Sequence, residues 1–338
     1  MFCEMNFKIK SMTKEFSIIE EIFLPLSGGA VAAQNFADDV AKISLKKDEE
    51  LVVSKDVAIE DVHFLRKDGG FKIAAKILRA NLSDIAASGA KPLYYMLGFC
   101  KNDKMDKKFI SEFAHGLKET QDEFGISLIG GDTISSPDRL FFSITVFGVR
   151  KKNHALPRFG AKDGDAIFVS GDIGGAFLGL GLSQNKYKNN FSAAQQKYFS
   201  TRHFFPSPRI LLGQNLVQQK LSNCAIDISD GLLADLKHLC EESKLSAFVY
   251  LDKIPLAVAT NTLPKTISSL DLISAGDDYE LIFSAKKSAE KKILQLAKKL
   301  NIKISKIGYF KKAGKACDIT LLNDKEQKIN FSKYGYEH

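Results

Sequence analysis

Aspartate recurs in this chain at the points where apolar runs stop. Six short segments carry it: Ala37-Asp38-Asp39, Ser54-Lys55-Asp56, Asn81-Leu82-Ser83-Asp84, Gly130-Gly131-Asp132-Thr133, Asp227-Ile228-Ser229-Asp230-Gly231 and Gly276-Asp277-Asp278-Tyr279-Glu280. A fold that uses them together must bring the ends of many separate strands and helices to one place. Carboxylates flanked by small residues suit hard cations such as Mg²⁺, which prefer oxygen ligands and commonly bridge to substrate phosphates. Gathered into one cleft they would form a strongly negative site within a chain of formal net charge +8, and metal ions would neutralise it. That combination points toward phosphoryl transfer.

A length of 338 residues accommodates two domains or one large one. Hydrophobic content of 45% and charged content of 26% are ordinary for a soluble globular protein. The lysines are spread along the chain, with runs such as Lys286–Lys299 reading as solvated faces, so nucleic acid is not an expected partner. Cys3, Cys100, Cys224, Cys240 and Cys317 form no C-x-x-C pair and no zinc-ligand spacing, which reads as reduced thiols. Residues 1–10 lack the layout of a signal peptide, and no stretch supplies the ~18 uninterrupted apolar residues of a membrane helix. A cytoplasmic, soluble protein is expected, with no membrane partner.

Hydrophobic periodicity predicts a short helix over Phe16–Leu24 stopped by Pro25, and a strand from Leu51–Val53 ending near Asp56. Helices follow over Phe71–Ala90, ended by Gly89 and Pro92, and over Phe109–Phe124, closed by Gly125. Ser127–Ile129 reads as a buried strand running into a Gly130-Gly131-Asp132 turn, and Leu140–Val149 as a strand. The basic, proline-containing stretch Arg150–Arg158 marks a domain boundary, giving residues 1–150 and 151–338. Beyond it, strands are expected at Ala166–Ser170, Ala225–Ile228 and Ile302–Tyr309. Helices are expected at Ala176–Leu182, from Pro206 to about Gln219, from Asp230 to about Cys240, and at Ser288–Leu300, with Lys186–Gln196 a loop or helix start. Strand and helix alternate in both halves, which favours two α+β or α/β domains.

No G-x-x-x-x-G-K-[ST] sequence is present, so a P-loop is excluded, and no H-R-D or D-F-G set occurs. Metals would then do much of the phosphate binding that a P-loop's amides and lysine do elsewhere. Asp84 lies inside an apolar helical pattern, where Asn, Ser and Asp are poor residues. Alone it reads as a cap or surface residue; with Ile85–Ala90 after it, it reads as a carboxylate projecting from a close-packed helix into a cleft. Asp227 and Asp230 flank a strand end, and Ser229 or Asp230 could equally cap the next helix. Nothing local makes His63 a catalytic base.

These segments, in this order, resemble the thiamine-monophosphate kinase family, within the superfamily that includes aminoimidazole ribonucleotide synthetase, selenophosphate synthetase and a hydrogenase-maturation dehydratase. The likeness runs from Glu15–Ile19 to Gly335–His338. The motifs nearest the kinase are Val62-His63-Phe64, Arg158–Asp165, Arg202-His203 with Pro206–Arg209, Ala225–Leu232 and Gly276–Leu281. The resemblance implies an α+β, two-domain fold of the aminoimidazole ribonucleotide synthetase type. Its N-terminal domain carries a mixed or antiparallel sheet that forms a barrel in a homodimer, and its C-terminal domain is an α/β sandwich. It implies Mg²⁺-assisted, in-line transfer of the ATP γ-phosphoryl group to thiamine monophosphate, with several metal ions and no catalytic side chain, because the attacking phosphate is already ionised.

Carried over position by position, Asp39, Asp56, Asp84, Asp132, Asp227 and Asp230 resemble metal ligands, with Ser54 a contributor. Gly131, Asp132, Arg158 and Ser229 resemble ATP contacts, and His63, Asp277 and Tyr336 resemble substrate contacts. Lys55 stands where threonine is common, and an ammonium there could replace one cation or contact phosphate. Asp277 stands where glutamate is usual. The alternatives are another ATP-using enzyme of the superfamily, or a non-catalytic protein that binds nucleotide or thiamine phosphate.

Overall fold

The computed structural model describes residues 15–336 apart from 104 and 315. Cys3 and the terminal Glu337-His338 of the resemblance lie outside the described residues. Two compact units divide the chain. The first runs to Ser44 and adds Lys55–Ala75 and Leu93–Thr145; the second takes Leu45–Ser54, Lys76–Pro92 and the chain from Val146 onward.

Elements in chain order begin with α1 (Glu15–Ile18), β1 (Glu49–Ile59), α2 (Gly70–Ala87), β2 (Lys91–Lys101), α3 (Lys107–Phe124), β3 (Ser127–Ser135) and β4 (Phe141–Lys151). They continue with β5 (Ala166–Ser170), α4 (Gly175–Ser183), α5 (Ala193–Phe204), α6 (Ile210–Gln218), β6 (Ala225–Asp227), α7 (Leu232–Ser243) and β7 (Leu245–Tyr250). The chain ends with α8 (Ser269–Ile273), β8 (Leu281–Ala285), α9 (Glu290–Leu300), β9 (Ile304–Lys312), β10 (Ile319–Leu322) and β11 (Lys328–Ile329).

The first unit is built on a four-stranded sheet in the order β1-β4-β2-β3, with β2 and β3 parallel. Its core is aromatic: Phe113 lies 4.5 Å from Phe142 and 5.2 Å from Phe99, and Phe23 and Phe64 extend the cluster. Glycine lets α3 close on the start of α2, since a Cβ at Gly116 would lie 2.2 Å from the Phe71 carbonyl oxygen. The sheet is open among the described residues, with no closed barrel.

In the second unit a seven-stranded sheet runs β11-β10-β7-β9-β5-β8-β6, parallel at β10/β7 and otherwise antiparallel wherever strands pair. All of β5 is buried: Ile167 and Val169 join the core under α7 with Leu232, Leu236 and Ile226, while Phe168 stacks on Phe283 at 5.4 Å. Beside this sheet, Leu178, Leu182 and Phe199 of α4 and α5 form a second buried cluster with Leu272. This is the α+β architecture that the motifs imply, with a strand covered on both faces as a sandwich requires.

Several expected boundaries move. Pro25 does not stop the first helix: after α1 the chain continues as a π turn over Ile19–Phe23 and a 3₁₀ turn over Leu24–Ser27 that holds Pro25 in its first turn, where a missing N–H costs nothing. Residues Leu51–Val53 are the middle of a strand that passes Asp56 and ends at Ile59. Gly130-Gly131-Asp132 is strand rather than turn; Gly131 is pressed against β2, with a Cβ there falling 1.9 Å from the Leu97 carbonyl oxygen. Pro92 opens β2, a position strands tolerate. Among the described residues no helix is long and apolar enough to cross a membrane. Cys100, Cys224, Cys240 and Cys317 are all free thiols.

Candidate active site

Helix α2 is an uninterrupted helical stretch whose apolar positions Ala74, Leu78, Leu82 and Ile85 are buried, which leaves Asn81, Ser83 and Asp84 to be carried inward with them. Ser54, on β1, donates a short hydrogen bond to Asp84. Asp227 ends β6 and is 4% exposed. Burial raises the Asp84 carboxyl above the ordinary range, against the Ser54 hydrogen bond and the Arg158 charge, which lower it. Asp227 is pushed up further, first by burial and then by the charges of Asp84 and Asp235; Ser83 and Arg158 oppose the rise. The buried Ser83 hydroxyl makes no hydrogen bond of standard geometry even so.

Two neighbouring carboxylates, the Asp84 charge raising Asp227, with two hydroxyls beside them, are an oxygen-only donor set matching a hard cation. Among the described residues, no group of three or more His, Cys, Asp or Glu side chains is arranged around a single metal position.

The loop after β6 is held from below. Asp235, in the first turn of α7, accepts hydrogen bonds from the backbone N–H groups of Ser229 (3.0 Å), Asp230 (3.1 Å) and Gly231 (3.2 Å) on one oxygen. The capping expected of Ser229 or Asp230 is not seen: Gly231 takes the N-cap position of α7, with no side-chain capping hydrogen bond. Burial and the Asp230 charge lift Asp235 to about 7, while those three donors pull it down. The C-terminal segment docks on the same loop. The Tyr336 N–H donates to the Asp230 carbonyl at 2.8 Å, and Gly335 packs so tightly that a Cβ would lie 2.6 Å from that oxygen. The Tyr336 ring is half-exposed beside it.

The Gly276–Glu280 segment carries two non-glycine residues with left-handed backbone, Asp277 (φ 71°) and Tyr279 (φ 51°). Backbone bonds tie it to the β6 loop, from Asp277 N–H to the Ser229 carbonyl (2.9 Å) and from Tyr279 N–H to that of Ile228 (2.8 Å). Asp278 accepts from Gly174 N–H (2.7 Å) and Ala176 N–H (3.2 Å). Glu280, fully buried, accepts from Ser170 (2.6 Å), Arg202 (2.7 Å) and Arg209 (2.6 and 2.5 Å). Asp277 itself meets the Lys76 ammonium at 2.7 Å.

The second unit thus gathers Ser54, Asp84, Asp227 and Arg158 into one electrostatic cluster, and Ser229, Asp230, Asp277 and Tyr336 onto three bonded segments. Asp39, Asp56, Gly131, Asp132 and His63 belong to the first unit, and all five are exposed. Asp39 sits in a bend after a 3₁₀ turn; Asp132 lies on β3 beside Gly98. His63 Nδ1 accepts the Ile59 N–H at 3.2 Å. Side-chain alternation puts Lys55 on the opposite face of β1 from Ser54 and Asp56, and its ammonium is bonded to Ser143 of β4. A recess of about 770 Å³ in the first unit is lined by Glu60, Asp61, Arg66, Asp138 and Arg139, among others, and by none of the expected site residues.

Ser83, Asp278, Glu280, Arg202 and Arg209 stand in the motifs quoted above without a role assigned to them, and Lys76 and Asp235 stand in none of them. The usable signal was charge inside apolar surroundings. Glu280 directly precedes the buried strand β8, and Arg202 closes an otherwise buried helix end.

Residues 37–150 match the family described as AIR synthase related protein, N-terminal domain, and residues 162–316 match its C-terminal domain. The chain is 34% identical over 307 residues to the thiamine-monophosphate kinase of Buchnera aphidicola subsp. Schizaphis graminum, covering 90% of this chain and 92% of that one. It resembles the crystal structure of thiamine-monophosphate kinase from Stenotrophomonas maltophilia K279a with a TM-score of 0.80 at 32% identity, over 90% of this chain and 96% of that chain. The structure described as AaThiL complexed with AMPPCP and TMP shares the fold, with a TM-score of 0.73 at 24% identity over 96% of this chain and 97% of that chain. Matched in both domains, and over most of its length by relatives of that name, the chain belongs to the thiamine-monophosphate kinase family.

Proposed function

We propose that this protein transfers the γ-phosphoryl group of ATP to the phosphate of thiamine monophosphate, producing thiamine diphosphate and ADP. Its relatives are named for that kinase activity, and a protein of the same fold holds AMPPCP and TMP. The observation that carries the reading is the neighbouring pair Asp84 and Asp227, both raised by burial and Asp227 further by the Asp84 charge, with Ser54 and Arg158 beside them. A protein gains nothing in stability from such a pair, so a bound cation is the natural reason to keep it.

Mg²⁺ would be held by Asp39, Ser54, Asp56, Asp84, Asp132, Asp227 and Asp230, all oxygen donors. When bound, the ions neutralise charge between two anionic substrates and orient them. Gly131, Asp132, Arg158 and Ser229 serve ATP, and His63, Asp277 and Tyr336 serve thiamine monophosphate. Arg158 supplies a fixed positive charge, and the backbone bonds to Asp235 hold the Ser229 loop in position. No side chain has to accept a proton, because the attacking phosphate oxygen is ionised near neutral pH.

The division of labour follows the family: residues 1–150 bind metal and ATP and form a homodimer through their sheet, and residues 151–338 complete the ATP and substrate sites. The location is cytoplasmic. The test is ADP release measured against thiamine monophosphate, an aminoimidazole ribonucleotide precursor and selenide. Turnover confined to the first supports the proposal; turnover only with another acceptor refutes it.

A further inference from the structure

Asp277 is a substrate contact in the proposed function, yet an aspartate is an odd partner for a phosphate. Its surroundings decide which end of the substrate it can meet. The Asp277 side chain is 35% exposed, whereas the Lys76 side chain behind it is 8% exposed. Lys76 Nζ lies 2.7 Å from Oδ2, and the Tyr279 hydroxyl donates to Oδ1 at 3.1 Å. The backbone beneath is pinned by the Ser229 carbonyl (2.9 Å) and by Arg202, which donates to the Asp278 carbonyl at 3.1 Å. Lys76 comes from α2, two turns before Asp84, so the helix that carries a proposed metal ligand also carries the ammonium that grips Asp277.

We propose that Lys76 is a positioning residue: its buried ammonium fixes the Asp277 carboxylate, as an anion in one rotamer, to receive the positively charged thiazolium and aminopyrimidine portion of the substrate and not its phosphate. This rests on the reading that Asp277 contacts thiamine monophosphate. Three groups face the carboxylate: Lys76 from α2, His203 from α5 and Tyr279 from its own turn. Burial pushes the Asp277 carboxyl up, but the Lys76 charge and hydrogen bond, with help from His203 and Tyr279, bring it below the ordinary carboxylate range. The ion pair turns its carboxylate end outward and its ammonium inward, an arrangement that would repel a phosphate and attract a cation.

The test uses the full-length enzyme and thiamine itself, which has the cation but no phosphate. Lys76→Met should weaken thiamine binding in calorimetry by about tenfold and raise KM for thiamine monophosphate by a similar factor, with kcat and KM for ATP within about twofold. The acid limb of the KM profile should move to higher pH in Lys76→Met, because Asp277 loses its counter-charge. Lys76→Arg should restore part of the affinity. The double variant Lys76→Met/Asp277→Asn should bind thiamine no worse than Asp277→Asn alone, and this also serves if Lys76→Met does not fold, since the double change leaves no unpaired charge. Additive losses in the double variant, or unchanged thiamine binding in Lys76→Met, overturn the proposal while leaving the substrate role of Asp277 intact. Unchanged thiamine binding and KM in Asp277→Asn remove that role and the proposal with it.

Discussion

Replacing Glu280 by Gln isolates the strongest ionic feature of the second unit. The carboxylate is fully buried and accepts four short hydrogen bonds from three side chains, two from Arg209 at 2.6 and 2.5 Å, one from Arg202 at 2.7 Å and one from Ser170 at 2.6 Å. Gln keeps the size but turns one acceptor into a donor aimed at a guanidinium, and it leaves two shielded guanidiniums, Arg202 8% and Arg209 18% exposed, one anion short. Asp278 near Arg202 compensates only in part. Breaking a buried pair by removing one partner costs about 3–5 kcal/mol, at least about a fifth of the stability of a typical domain at about 5–15 kcal/mol. Urea denaturation followed by circular dichroism at 25 °C should show a large fall in midpoint with little change in slope. As a control, Glu112→Gln removes an exposed pair with Lys108 (80% and 38% exposed) and should cost below about 0.5 kcal/mol. A loss under about 1 kcal/mol for Glu280→Gln would place it with the surface pairs and rule out a stabilising role for the buried cluster.

Other outcomes follow from the site. Asp84→Asn and Asp227→Asn should each lower turnover on the order of a hundredfold or more, while thermal melting of the metal-free protein stays level or rises, because each change relieves repulsion; near-wild-type turnover in either variant contradicts the metal assignment. Asp235, lifted to about 7, binds a proton in the folded state that the unfolded chain has already released above about pH 4. Its contribution therefore favours the folded state as pH falls from 8 toward 5, and that gain should shrink in Asp235→Asn, read as melting temperature against pH. Lys55→Thr should leave the Mg²⁺ dependence of turnover unchanged, since Lys55 points away from Ser54 and bonds Ser143; a shifted magnesium optimum would return Lys55 to the metal shell.

The readable part of the fold was the part written in periodicity. Helices α2 and α3 lie within a few residues of their expected spans because apolar spacing and the following Gly89 and Gly125 mark them locally. Asp84 was legible for a related reason: three polar residues inside an apolar helical pattern need somewhere polar to go, and Ser54 and Asp227 provide it. What could not be read depended on distant partners. Gly130-Gly131-Asp132 looks like a turn until β2 lies alongside and requires glycine for its approach. Pro25 looks like a stop until the chain tightens into a 3₁₀ turn that places it first. Strands β2, β7, β8, β10 and β11 had no expectation attached, being short or opening on proline, and their pairing fixes them more than their own composition does. Glu280 belongs to the same class, since nothing near it in sequence announces that Arg202 and Arg209 will meet it.

Clustered carboxylates loaded with divalent cations would let ATP and thiamine monophosphate react directly. Product formation titrated with Mg²⁺, with ADP and thiamine diphosphate quantified together, tests it most directly. No product should form in a chelator, and product should rise with Mg²⁺, with equal amounts of the two products throughout. Thiamine diphosphate formed without divalent cation, or ADP released without thiamine diphosphate, would contradict it.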